Sequence, residues 1–154
     1  MLRQPIEHHG GTELTWRQFC SVESAYSHKL SFCELGIIRY QGQLGLIQIF
    51  DEDNPDENMP LLPCTYDVLF QLHHPWNKSY FVGYKDGKCA LLRVVAHAYQ
   101  VGEDDVAACK VLSGHEYDSI AWNGDNTIVL YLGASRREYN LRTHTMSEAY
   151  ECLW

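Results

Sequence analysis

The sequence lacks the apolar runs of a membrane protein and the basic surplus of a nucleic-acid-binding protein. No uninterrupted apolar stretch approaches the ~20 residues that span a bilayer. The 154 residues include 12 Lys and Arg against 20 Asp and Glu, a formal net charge of −8. Because phosphate is bound through a basic surface, this balance argues against a nucleic-acid partner. The N-terminal residues have no apolar signal-peptide core, which predicts a cytoplasmic protein.

The short motifs that mark catalytic centres are also missing. There is no G-x-S-x-G elbow, no Walker loop and no G-x-G-x-x-G. The eight His residues show no H-x-x-x-H, H-x-H or H-E-x-x-H spacing, so neither a metal nor another cofactor is predicted. The six Cys residues form no C-x-x-C and are predicted to be reduced and mostly buried. A Cys–His pair that meets only in space stays open.

Glycine turns between apolar stretches predict three β-hairpin units. Residues 32–50 turn at Gln41-Gly42-Gln43, and residues 79–95 turn at Asp86-Gly87, a dipeptide suited to a type I′ turn. With a two-residue loop, Tyr84 faces Cys89 and Val82 faces Leu91. Residues 117–141 form a three-stranded meander with its first turn at residues 123–126. Its core residues are predicted to be Ile128, Leu130 and Leu132, and residues 136–142 are predicted to lie at or near a sheet edge.

Residues 12–28 carry the pattern of an N-terminal helix. Trp16, Phe19, Cys20 and Tyr26 recur near a 3.6-residue spacing, and Thr15 is a candidate N-cap. Hairpin 32–50 is apolar on nearly every position, so its sheet needs a cover, and this helix is the nearest candidate. The predicted fold is therefore α+β, a mainly antiparallel β-sheet of about six to eight strands built from the hairpins and meander, with the N-terminal helix packed on it. Residues 1–154 are predicted to form a single globular domain.

Three further segments carry weaker patterns. Residues 103–112 fit either a helix or a strand, and the local pairing of their neighbours favours a strand over 106–112. Residues 65–73 fit a short helix or turn. Residues 147–154 fit a closing helical turn in which Trp154 covers a sheet edge.

The sequence feature that most indicates a function is a pair of acidic clusters. Residues 51–63 are predicted to form a loop, because three prolines prevent regular structure there. Pro55 occupies the third ligand position of an EF-hand pattern, so a calcium site is not predicted. Two clusters are predicted to bind a protein partner, with a merely solvated surface as the alternative. They are Asp51, Glu52, Asp53, Asp56 and Glu57 in the first, and Glu103, Asp104 and Asp105 in the second.

Small size, acidic charge, abundant Tyr and Trp, and missing catalytic motifs together predict a non-enzymatic protein-binding module. More concretely, they predict an acidic inhibitor of the immunity-protein type, which neutralises a basic toxin such as a nuclease by direct binding. No nucleic-acid or membrane partner is predicted. Two alternatives stay open. One is a small metal- or Cys/His-dependent enzyme built around His73, His74, His97 or His115 with a carboxylate; the other is a subunit of a larger assembly that pairs through strand 136–142.

Overall fold

A computed structural model describes residues 13–24, 30–49, 58–74, 77–97, 106–124 and 126–151. In these ranges the chain contains thirteen β-strands and no helix, and therefore no helix that would span a membrane. The strands are β1 (Glu13–Ser24), β2 (Leu30–Tyr40), β3 (Gln43–Ile49), β4 (Met59–Tyr66), β5 (Val68–Gln71), β6 (Tyr80–Lys85), β7 (Lys88–His97), β8 (Val106–Val111), β9 (Ser119–Trp122), β10 (Thr127–Leu132), β11 (Ser135–Asn140), β12 (Thr145–Met146) and β13 (Tyr150–Glu151).

The strands form two sheets. The first has eight strands in the order β4-β3-β2-β1-β7-β6-β5, with β8 also paired to β7. The second has the order β12-β11-β10-β9, with β13 also paired to β11. Neighbouring strands are antiparallel except β1 and β7, which are parallel where Glu23 and Ser24 meet Val95 and Ala96. The first sheet is therefore mixed.

Strand β7 is hydrogen-bonded along both edges. One edge pairs with β6 as far as Arg93 and then with β1 at Val95. The other edge bridges to Tyr117 at Cys89 and pairs with β8 from Leu92 onward. Such a strand satisfies its backbone polar groups internally and can be buried on both faces.

Two apolar cores lie on opposite faces of β7. Ala90 and Leu92 alternate with Cys89 and Leu91, and all four are fully buried. The first core is enclosed by the eight-stranded sheet and includes Cys20, Val22, Leu35, Leu46, Phe81, Leu92 and Val94. The second lies between the two sheets and includes Tyr80, Val82, Leu91, Tyr117, Ile128, Leu130 and Tyr139. The alternation along β7 thus joins the two sheets into one packed structure.

The predicted hairpin turns are confirmed. Gln41 and Gly42 adopt φ of 53° and 82°, and Asp86 and Gly87 adopt φ of 53° and 81°, as type I′ turns require. The first loop is one residue shorter than predicted, because Gln43 already pairs with Tyr40. The predicted register of the second hairpin is confirmed, with Tyr84 opposite Cys89 and Val82 opposite Leu91.

The predicted N-terminal helix is wrong, and with it the α+β fold class, since the described chain is all-β. Most of residues 12–28 lie in β1, which pairs with β2 over nearly its whole length. Trp16, Cys20 and Val22 also fit a period of two and point inward, whereas Phe19, which fits only the helical spacing, is exposed. Pairing with β2 decides between two patterns that the local sequence leaves equivalent.

Three smaller predictions are corrected as well. Residues 65–73 hold the end of β4 and all of β5, not a helix or turn, and within residues 147–154 the described part contains β13. The prediction that residues 136–142 lie at or near a sheet edge is confirmed, because among the described strands only the two-residue strands β12 and β13 pair with the side of β11 that faces away from β10. Leu132 is 39% exposed, so only Ile128 and Leu130 of the predicted meander residues are in the core. Trp154 lies outside the described residues. The strand predicted over 106–112 is confirmed as β8.

Polar contacts fasten the second sheet to the first. Within the first sheet, Arg93 of β7 donates to the Glu23 carboxylate of β1, and His144 in the turn between β11 and β12 reaches this carboxylate from the second sheet, with its ring nitrogen Nε2 at 3.9 Å. The other ring nitrogen of His144 is 3.2 Å from the Tyr139 hydroxyl. On the far side, Asp118 accepts from the Lys88 ammonium group and, at 2.7 Å, from the N–H of Gly133.

Replacing Asp118 by Asn tests the second of these fastenings. Lys88 and the Gly133 N–H hold the pKa of the Asp118 carboxyl below its ordinary value. The folded state therefore binds fewer protons than the unfolded state, so the stabilisation is complete above the unfolded pKa and is lost as the pH falls through the folded pKa. We expect Asp118→Asn to lower the free energy of unfolding at neutral pH and to have no effect in acid.

Denaturant unfolding at a series of pH values measures this dependence. Asp86→Asn is the control. Asp86 is exposed in the turn between β6 and β7, and this substitution likewise keeps the shape of the side chain. An equal loss for Asp118→Asn in acid and at neutral pH would contradict the proposed role of the ionised carboxylate.

Candidate partner-binding surface

The eight predicted partner-binding carboxylates lie outside the described residues. They are Asp51, Glu52, Asp53, Asp56 and Glu57, which fall between β3 and β4, and Glu103, Asp104 and Asp105, which fall between β7 and β8. What the structure does describe is the framework on both sides of each segment.

This framework carries no net charge. The described ranges contain ten basic and ten acidic residues out of the 12 and 20 in the chain. The other segments contain the remaining two basic and ten acidic residues, so the whole net charge of −8 belongs to them. Eight of those ten acidic residues are the predicted partner-binding set. The charge of the protein is thus concentrated in segments that connect strands.

The framework ends of both acidic segments meet at one place. Gln48 pairs with Met59 across β3 and β4, which brackets the first segment. His97 pairs with Val106 across β7 and β8, which brackets the second. The Gln48 side chain joins these strand pairs, because its Oε1 accepts a 2.7 Å hydrogen bond from the N–H of Ala107. We call these five residues the anchor junction. Both acidic segments leave and re-enter the framework there.

The hydrogen bond between Gln48 and Ala107 is buried, so both of its groups depend on it. The Gln48 side chain is 4% exposed, and the N–H that it accepts belongs to a buried residue, Ala107. A buried donor that loses its acceptor stays removed from water without a hydrogen bond, so its desolvation cost is no longer offset. The 59-residue separation of the two partners means that no local sequence pattern signals this contact.

An exposed aromatic pair lies beside the anchor junction. The rings of Phe19 and Phe32 are stacked with centroids 5.8 Å apart, and each side chain is 66% exposed on the outer face of β1 and β2. Phe19 is opposite Glu34, and Glu34 is opposite Ile49, the last described residue before the first acidic segment. Rigid exposed aromatics are the residues that most often anchor protein interfaces. We call Phe19 and Phe32 the phenylalanine pair.

The helix predicted over residues 12–28 misplaces Phe19, because its 3.6-residue spacing groups Phe19 with Trp16 and Cys20. In β1, Phe19 instead points opposite to Cys20, which is fully buried. Phe32 similarly points opposite to Cys33 in β2. Alternation within each strand, once strands are known, is the signal that identifies both phenylalanines as outward-facing.

The histidines proposed for an alternative enzymatic site lie in different surroundings. His73 borders a cleft between β1 and β5. His74 is buried against Trp122, with ring centroids 4.4 Å apart. The Nε2 of His115 is 3.0 Å from the Tyr66 hydroxyl, and burial and then Lys85 lower the pKa of its ring. The side chain of His97 is outside the described part of the structure.

The described cysteines are all free thiols, as predicted. Cys20, Cys33 and Cys89 are buried, and Cys64 and Cys109 are half-buried; Cys152 lies outside the described residues. Burial raises the pKa of Cys33 and of Cys109 to about 12. Both therefore stay protonated at neutral pH, where a thiol is a weak nucleophile. In the described ranges no three His, Cys, Asp or Glu side chains are grouped so as to hold a metal ion.

Gln48→Leu tests the anchor junction. The substitution leaves the Ala107 N–H without its acceptor, so we expect the free energy of unfolding to fall by about 2 kcal/mol. Gln43→Leu, on the same strand but exposed, is the control and is expected to change it by about 0.5 kcal/mol or less. Denaturant unfolding measures both variants. An equal change in the free energy of unfolding in the two variants would show that the Gln48 hydrogen bond does not stabilise the fold.

Comparison with known proteins adds no family to this description. No protein-family model, no curated protein and no solved structure matches the chain. The case for a function therefore rests on the neutral framework, the anchor junction and the phenylalanine pair.

Proposed function

We propose that this chain is a non-enzymatic, cytoplasmic protein-binding module of the immunity-protein type, which neutralises a basic toxin by binding it. The observation that carries the proposal is the separation of charge from framework. The described all-β framework is neutral, so the whole net charge of −8 belongs to the other segments. The residues that flank the two most acidic segments meet at the anchor junction. Because the described residues that flank both acidic segments meet at the anchor junction, our proposal is that the two clusters act on the same partner.

The proposed mechanism divides association into two contributions. The clustered carboxylates attract a cationic surface and raise the association rate, an effect that ionic strength screens. The phenylalanine pair then supplies apolar contact area, which mainly slows dissociation. A nuclease surface that binds nucleic acid is basic, so a row of carboxylates resembles the phosphates that such a surface accepts.

Neutralising one acidic cluster tests the electrostatic contribution. We expect Glu103→Gln/Asp104→Asn/Asp105→Asn to lower the association rate about tenfold at low ionic strength, with a smaller effect at about 0.15 M. The measurement is surface plasmon resonance against purified proteins encoded beside this chain, together with a toxin-protection assay on co-expression. The control is Glu13→Gln/Asp86→Asn/Glu148→Gln, which removes the same charge from exposed framework positions.

Two outcomes decide this test. A selective rate loss for the cluster variant, with protection of the host by the wild type, supports the proposal. Equal loss in the cluster and control variants would reduce the effect to net charge, and the absence of both a complex and protection would remove the proposed function altogether.

Replacing the phenylalanine pair tests the apolar contribution. We expect Phe19→Ser/Phe32→Ser to weaken the equilibrium affinity about 30-fold, as loss of an interface anchor does, mostly through faster dissociation. The matched control is Val111→Ser/Leu132→Ser, which removes exposed apolar side chains elsewhere. Calorimetry measures affinity, and thermal unfolding verifies that both variants fold. Unchanged affinity in the phenylalanine variant would place the contact surface elsewhere.

A further inference from the structure

Asn123 is the only asparagine in the sequence that is followed by glycine. The side-chain amide carbon of an asparagine can form a five-membered ring with the backbone nitrogen of the next residue. A side chain on that next residue shields the nitrogen, whereas glycine has no Cβ and lets other groups approach its backbone closely. Asparagine is correspondingly among the residues that are chemically labile in proteins. The sequence thus places a self-reactive dipeptide at Asn123-Gly124.

The structure leaves this dipeptide open to solvent. Asn123 and Gly124 are both exposed and lie between β9 and β10. Gly124 has a φ of 81°, and a Cβ built on it would have no heavy atom within 4 Å. Neighbouring groups therefore do not crowd this side of Gly124, and water reaches the dipeptide.

The two reacting groups are not held by hydrogen bonds. In the described part of the chain, the Asn123 side-chain amide has no hydrogen-bond partner and the Gly124 N–H donates to no acceptor. The Asn123 backbone N–H donates to the Thr127 carbonyl at 2.8 Å, but this nitrogen is not an atom that reacts. Ring closure therefore breaks no hydrogen bond of either group.

Other asparagines provide a contrast within the same molecule. The Asn77 Oδ1 accepts from the Ser79 N–H at 2.9 Å. The Asn140 Oδ1 accepts from the N–H groups of Arg142 and Thr143 at 2.9 and 3.1 Å. Both side chains are thus tied to the backbone that follows them, and neither asparagine precedes a glycine. They are internal references for an asparagine that reacts slowly.

We propose that Asn123 is a site of spontaneous deamidation through a cyclic imide formed with Gly124. The deprotonated Gly124 nitrogen attacks the Asn123 side-chain carbon, a nitrogen–carbon bond forms, and the bond to Nδ2 breaks to release ammonia. Water then opens the ring at either of its two carbonyls. One opening gives aspartate, and the other gives isoaspartate, in which the backbone runs through the side-chain carbon. Overall, an amide and water become a carboxylate and ammonium, with no change of oxidation state.

The modification changes the protein in two ways. Each product carries one more negative charge than the original chain, and the isoaspartate form also lengthens the backbone between β9 and β10 by one carbon. Water is the only co-reactant, so the change is slow and runs in one direction. The dipeptide belongs to the second sheet, whereas the anchor junction belongs to the first. Failure of this proposal therefore leaves the proposed function standing, and the reverse also holds.

Peptide mapping by mass spectrometry tests the proposal on the folded whole chain, incubated in mildly alkaline water labelled with heavy oxygen. We expect Asn123 to be converted at least about tenfold faster than Asn77 and Asn140. The products are expected to contain one labelled oxygen and to include both aspartate and isoaspartate, because the ring has two carbonyls. Direct hydrolysis of the side chain would give aspartate alone. A sample digested without incubation gives the background.

Two variants separate the cyclic route from direct hydrolysis. Gly124→Ala covers the nitrogen with a Cβ and is expected to slow conversion of Asn123 at least about tenfold. Asn123→Gln keeps an exposed side-chain amide but would need a six-membered ring, so we expect no measurable conversion there. Because alanine is disfavoured at a φ of 81°, thermal unfolding verifies that Gly124→Ala folds; Asn123→Gln carries the comparison if it does not.

Several outcomes would overturn the proposal. Conversion of Asn123 no faster than that of Asn140, or aspartate without isoaspartate, would exclude the cyclic imide. Equal rates in wild type and a folded Gly124→Ala, or equal rates in wild type and Asn123→Gln, would exclude it as well. Conversion that occurs only in denaturant would show that the folded turn prevents ring closure.

Discussion

The two-sided pairing of β7 is the constraint on which the rest of the structure depends. With both edges hydrogen-bonded and both faces apolar, β7 is buried at no cost in unpaired backbone groups. The requirement also limits its neighbours. Because β6 occupies one edge as far as Arg93, β1 can join only at Val95 and Ala96 and must diverge below them. The cleft between β1 and β5 is the direct result of that divergence.

The opposite edge of β7 explains the anchor junction. Strand β8 pairs there with the second half of β7, which places Ala107 within reach of the Gln48 side chain. That single hydrogen bond brings the ends of two segments together that are about fifty residues apart in sequence. Strand pairing along β7 and the Gln48 hydrogen bond thus place the described ends of both acidic segments next to each other.

Sequence reasoning succeeds where structure is encoded within a few residues. Asp86 and Gly87 tolerate the positive φ of a type I′ turn, and a two-residue loop then determines the register of Tyr84 against Cys89. It fails for residues 12–28, because the positions of Trp16 and Cys20 satisfy both the helical and the strand period. Only pairing with β2, which is tertiary information for this segment, distinguishes them. The misplaced Phe19 follows from the same ambiguity.

The candidate site also has one part that local sequence reveals and one part that depends on tertiary contacts. Carboxylates can be read from any sequence, so the acidic clusters could be named without a structure. That their flanking strands meet depends on the hydrogen bond between Gln48 and Ala107, which are 59 residues apart. The described framework is electrically neutral, with ten basic and ten acidic residues. Its stability comes from β7 and the two apolar cores that β7 separates, so under our proposal the acidic segments contribute to recognition and not to the core.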